Sequence, residues 1–72
     1  GTYPAVLAGA DEAAVGLFLG GHIKFTGIPD FVLETLSTHK NISEPSVEEI
    51  YDSAKWAIES TLALHKQSII VS

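Results

Sequence analysis

Apolar residues recur along the chain at three- and four-residue spacing, the period of a helix that buries one face. Between Pro4 and Leu19 they fall at Leu7, Ala10, Ala14, Leu17 and Phe18. The same spacing returns at Ile28, Phe31, Val32, Thr35 and Leu36. It appears a third time, over four turns, at Val47, Ile50, Tyr51, Ala54, Ala57, Ile58, Thr61 and Leu62. Three helices are therefore expected and no strand. Their punctuation agrees. Thr2 is placed as the N-cap of the first helix, Pro4 sits in its first turn where a missing N–H does no harm, and Gly20-Gly21 stop it. Thr26 is placed as the N-cap of the second, with Pro29 at its third position and Asp30 at its positive end. His39-Lys40-Asn41 gives that helix a basic finish. The third opens at Pro45 and Ser46, and Ser46 with Glu49 forms an S-x-x-E capping box. Ser68-Ile69-Ile70-Val71-Ser72 is β-prone with nothing to pair with, and reads as a frayed end.

The connections are short and no internal repeat appears, so the expected fold is all-α, one domain over residues 1–72, an antiparallel bundle of three helices. Gly9 and Gly16 interrupt the first helix, each at a cost of up to roughly 1 kcal/mol against Ala. Close approach of a neighbouring helix is the expected compensation.

Composition narrows the function more than the fold. Seventy-two residues lie near the size at which one hydrophobic core is barely sufficient. There is no cysteine, so neither a disulfide nor a thiolate metal site can staple the chain. Nine acidic residues against four lysines, with no arginine, give a formal charge of -5. Such a surface lacks the basic patch that a phosphate backbone requires, which excludes nucleic acid as a partner. Apolar runs of a few residues fall far short of the ~20 needed to span a bilayer, which excludes a membrane span. No basic segment followed by an apolar one marks a signal peptide. The chain contains no methionine and is expected to be a piece of a longer translation product.

Candidate chemistry is sparse. Asp11 and Glu12 are adjacent, so on a helix they diverge by about 100° and cannot act as a facing carboxylate pair. His22, His39 and His65 are far apart in sequence, show no H-x-x-x-H or E-x-x-H spacing, and stand near predicted helix ends. Gly20, Gly21 and Gly27 follow no strand and match no phosphate-loop pattern. Glu44, Glu48, Glu49 and Asp52 read as a solvated acidic face, and no Ser sits in a G-x-S-x-G turn. No catalytic, cofactor-binding or metal-ligating residue is assigned. The assigned roles are structural: Thr26, Ser46 and Glu49 as caps, and Glu12 as an acid that accepts backbone N–H groups near Thr26 to Ile28 at the start of the second helix. Glu12→Gln is then expected to cost roughly 1–2 kcal/mol. Asp11 can serve the same purpose.

The segment Ala10-Asp11-Glu12-Ala13-Ala14-Val15, Phe18-Leu19, Ile23-Lys24-Phe25-Thr26-Gly27-Ile28 resembles the "A-N-E-x-x-V-x-x-F-L-x-x-x-I-x-F-x-x-I" signature near the C-terminus of 1-deoxy-D-xylulose 5-phosphate reductoisomerases. Thr2-Tyr3-Pro4-Ala5-Val6-Leu7 before it and Ser46-Val47-Glu48-Glu49-Ile50 after it fit the same family in order and spacing, up to about Leu64. Asp11 stands where the family usually has Asn, and Ala8 where a further Asn is common. The resemblance implies an enzyme that rearranges and reduces 1-deoxy-D-xylulose 5-phosphate to 2-C-methyl-D-erythritol 4-phosphate. It uses NADPH and a Mg or Mn ion, in the non-mevalonate isoprenoid pathway of the bacterial cytoplasm or of plastids. Its N-terminal domain holds the cofactor and its central domain the metal and substrate. This chain matches only the C-terminal four-helix bundle, from its second helix onward, so no catalytic, metal or cofactor residue carries over.

Two rivals stand beside that reading: a freestanding helical interaction module, and a small acidic helical enzyme or metal binder. The resemblance also carries a surface expectation. With the first bundle helix upstream of Gly1, Val6, Leu17 and Leu62 should line an apolar groove through which the isolated chain self-associates.

Overall fold

The computed structural model describes residues 1–71, with side chains described through Ser68. Three helices account for most of it: α1 (Tyr3–Leu19), α2 (Gly27–Thr38) and α3 (Val47–Val71). Among the described residues there is no strand. At about 1.5 Å per residue the 25 residues of α3 set the longest dimension of the molecule, 38 Å. Residues 68–71, expected to fray, continue α3, and Ser72 lies outside the described residues.

Helix α1 is the centre of the assembly. It packs most extensively on α3, next on α2, while α2 and α3 touch least. The contacts give the order of the chain in space. Thr2, before α1, meets His39, after α2. Along α2 and α3 the pairs reverse: Phe31 with His65, Thr35 with Thr61, His39 with Trp56. Along α1 and α3 they keep step, Gly9 beside Ala54 and Ala57, His22 beside His65.

The core is built from small side chains. Val6, Ala10, Ala14, Val32 and Ala57 form the buried cluster, with Ile28, Phe31 and Leu36 packed against it. The face expected of α2 is therefore the one it buries. The face of α1 is rotated from expectation: Val6, Gly9 and Ala13 go inside with Ala10, Ala14 and Leu17, and Leu7 stays exposed. In α3 the correction is larger. Ala57 and Thr61 are buried, whereas Val47, Ile50, Tyr51 and Leu62 are exposed. The periodic stripe is wider than the surface that α1 and α2 can cover, and its small residues take the seam because they let backbones approach. Gly9 shows how close: a Cβ there would stand 2.6 Å from the Ala54 carbonyl oxygen and 3.1 Å from the Ala57 Cβ. Gly16 has no such neighbour, so its cost to α1 is not repaid by packing. The expected groove is not formed as described, since Val6 and Leu17 are buried by three helices and only Leu62 is exposed.

The stop of α1 follows from local chemistry. His22 N–H donates to the Leu17 carbonyl and Gly21 N–H to that of Phe18. This is the Schellman pattern, and it needs a left-handed residue, here Gly21 at φ 78°.

Candidate functional site

The polar side chains that carry structure gather at three places. The first is the entry to α1. An α-helix begins with orphan N–H groups, and these must find acceptors. Thr2 occupies the N-cap, yet its side chain makes no capping bond. The Tyr3 N–H donates instead to Asn41 Oδ1, 3.1 Å away and 38 positions on in the chain. Thr2 is fully buried, and its Oγ1 accepts the Ile42 N–H at 3.0 Å and pairs with His39 Nε2 at 2.9 Å. With Ile42 on one lone pair, the arrangement that leaves no hydroxyl proton unbonded has Thr2 O–H donating to Nε2. The segment after α2, read from sequence as a basic helix end, is thus the cap of α1. His39 also leans on Trp56, ring centres 5.8 Å apart.

The second place is the α2–α3 seam. Thr61 O–H donates to the Ala57 carbonyl at 2.8 Å. A hydroxyl has one proton, so the 2.9 Å contact between Thr35 and Thr61 has Thr35 as donor. Both residues are fully buried, and the chain Thr35 to Thr61 to Ala57 satisfies them. Beside this seam a cleft of about 410 Å³ opens between Phe31 and Leu64, rimmed by Asp30, Glu34 and Gln67. A second, of about 390 Å³, lies between His39, Trp56, Ile42 and Asp52. The third place is the opposite end, where His22, His65 and Phe31 meet at tilted angles of 60°, His22 to His65 at 5.7 Å and Phe31 to His65 at 6.1 Å between ring centres.

The residues given structural roles from sequence fare unequally. Ser46 and Glu49 exchange bonds as a capping box: Glu49 N–H donates to Ser46 Oγ at 3.1 Å and Ser46 N–H to Glu49 Oε1 at 3.0 Å. Thr26 occupies the N-cap of α2 but makes no side-chain bond. Asp11 and Glu12 are exposed on α1. The N–H groups offered to Glu12 are satisfied within the turn, Gly27 to the Lys24 carbonyl at 2.9 Å and Ile28 to that of Phe25 at 3.1 Å. Thr2, Asn41, Thr35 and Thr61 were missed as polar centres. Thr2 reads from sequence as a cap, Asn41 as part of a helix end, and Thr35 and Thr61 as hydroxyls on otherwise apolar faces, but none of their partners is indicated.

Among the described residues no three His, Asp or Glu side chains stand together, so the residues present do not fit the cage that the resemblance implies for Mg or Mn. Among the described residues there is no strand, and so no strand-to-helix glycine loop to fit a nicotinamide cofactor. No described helix is long and apolar enough to cross a membrane.

A small-residue seam, a buried hydroxyl relay and a remote helix cap define a helical packing domain. The model of the DXP reductoisomerase C-terminal domain matches residues 1–60, and the chain belongs to that family. It is 43% identical over 68 residues to the 1-deoxy-D-xylulose 5-phosphate reductoisomerase of a Synechococcus, covering 94% of this chain and 17% of that protein. The same-named protein of Paenarthrobacter aurescens is 48% identical over 61 residues, 85% of this chain and 16% of the relative. That of Desulforamulus reducens is 49% identical over 59 residues, 82% of this chain and 15% of the relative. The chain thus spans about a sixth of the length of these relatives. No solved structure matches it.

Proposed function

We propose that this chain is a non-catalytic structural domain at the C-terminal end of a 1-deoxy-D-xylulose 5-phosphate reductoisomerase. The parent enzyme reduces and rearranges its sugar phosphate for isoprenoid biosynthesis in the cytoplasm of a bacterium. NADPH and Mg or Mn are held by the upstream domains. One observation carries the reading: a family match over residues 1–60 falls on a chain in which, among the described residues, no three His, Asp or Glu side chains gather. The relatives extend well beyond the matched segment, and the outward apolar stripe of α3, Val47, Tyr51 and Leu62, is the surface on which further chain would pack. In the isolated chain the same stripe is free to drive self-association.

Calorimetry tests the first half. The isolated chain is expected to show no saturable NADPH binding, and a micromolar isotherm would overturn the assignment. Sedimentation tests the second. The isolated chain is expected to dimerise at micromolar concentration, and Tyr51→Asp with Leu62→Asp to return it to monomer. A wild-type chain that stays monomeric removes the stripe as an interface. A freestanding interaction module is not favoured, because its own reading frame would hold little beyond these residues while the relatives run on for several times their length.

A further inference from the structure

We propose that His22 and His65 form a two-imidazole site for a nitrogen-preferring divalent ion: Cu2+, Ni2+ or Zn2+. The rings come from distant parts of the chain, the turn after α1 and the last third of α3, and their centres stand 5.7 Å apart. An ion bound about 2.0–2.1 Å from a ring nitrogen lies about 3 Å from that ring's centre, so one ion can reach two rings up to about 6 Å apart. The observed separation is inside that reach.

Both rings are also placed in advance. The His22 N–H is tied to the Leu17 carbonyl, and its ring lies over Gly20, where a Cβ would come within 2.9 Å of His22 Cδ2. His65 is half-buried with Phe31 against it. Among the described residues neither imidazole has a hydrogen-bond partner, so their nitrogens are free to ligate. His39 differs, because Thr2 already holds its Nε2. No third His, Asp or Glu joins the pair among the described residues, so water fills the remaining positions and the ion exchanges readily. Imidazole favours copper, nickel and zinc, whereas Mg and Mn prefer oxygen ligands. The site would therefore be separate in kind from the metal of the parent enzyme. Its consequence is mechanical: the ion staples the α1–α2 turn to α3, and stabilises the fold by mass action.

The test uses the 72-residue chain with the metal salts alone. Substoichiometric Cu2+ should broaden the NMR signals of His22 and His65 and spare those of His39. Zn2+ should raise the unfolding midpoint to a plateau that Mg2+ does not produce. His22→Ala, an exposed turn position whose folding is checked by circular dichroism, should raise the half-saturating Zn2+ concentration at least tenfold, and His65→Ala likewise. Broadening centred on His39 or on Glu48, Glu49 and Asp52 overturns the proposal. So does a Zn2+ response that survives His22→Ala, or no response at millimolar Zn2+.

Discussion

The two seams that α3 makes are opposite solutions to the same packing problem. Against α1 it presents Ala54 and Ala57 to Gly9, and the backbones come nearly into contact. Against α2 it presents Thr61 to Thr35, holds the helices by a hydroxyl relay, and leaves a cleft between Phe31 and Leu64. Close approach maximises dispersion contacts but has no tolerance for added volume. A buried relay tolerates the looser spacing but fails when one member is lost. The seams should therefore break under different substitutions, steric in one case and polar in the other.

The largest effect is expected at the tight seam. In Gly9→Val the Cβ meets the Ala54 carbonyl, which belongs to a helix backbone and cannot rotate away. Helix propensity gained over Gly is at most about 1 kcal/mol, and overpacking should outweigh it, at the upper end of its usual cost of about 1–3 kcal/mol. In a domain of this size each kcal/mol moves the melting midpoint by about 4–8 °C. A variant that melts with the wild type would mean that α1 and α3 are not in close contact.

At the polar seam the prediction is an asymmetry. Thr61→Val strands the buried Thr35 O–H and should cost about 1–3 kcal/mol. Thr35→Val removes a donor whose loss leaves Thr61 still bonded to Ala57, and should cost less. The double variant should recover part of the Thr61→Val loss, because no buried proton is then left unbonded. Equal single effects in chemical denaturation would reverse the donor order assigned to the relay.

Asn41→Ala probes the cap shared between the ends of α1 and α2. It removes the acceptor of the Tyr3 N–H, and a lost helix cap costs about 1 kcal/mol. Hydrogen exchange should locate the loss in the first turn of α1.

What was legible in the sequence was local. The Ser46–Glu49 box spans three positions and the Gly20–Gly21 stop is set by one turn, so both could be read from spacing. The apolar face of α2 was legible because α2 is short and its stripe narrow. In α1 and α3 the stripes are wider than the buried surface, and periodicity does not say which edge goes inside. That choice was made by size: Ala57 and Gly9 fit the seam, while Leu7 and Leu62 were left outside. The polar centres were illegible for a different reason. Thr2 to His39 and Thr35 to Thr61 span 37 and 26 positions, and no local pattern encodes them.

Glu12 gives the smallest expected effect and the sharpest control on the contrast between seams. The start of α2 does offer N–H groups, as any helix start must. The turn closes on itself instead, with Gly27 and Ile28 donating to the carbonyls of Lys24 and Phe25. The carboxylate is left in water on the outer side of α1, where exchanging charge for amide leaves no buried group unpaired. Glu12→Gln should therefore shift stability by no more than about 0.5 kcal/mol, the range of surface substitutions away from special features. It lies three positions from Gly9 on the same helix, so the pair separates what α1 contributes through its packed side from what it contributes through its wet one. A loss of 1–2 kcal/mol in Glu12→Gln, measured by denaturant titration beside Gly9→Val, would restore the carboxylate as an anchor and show that the turn relies on it.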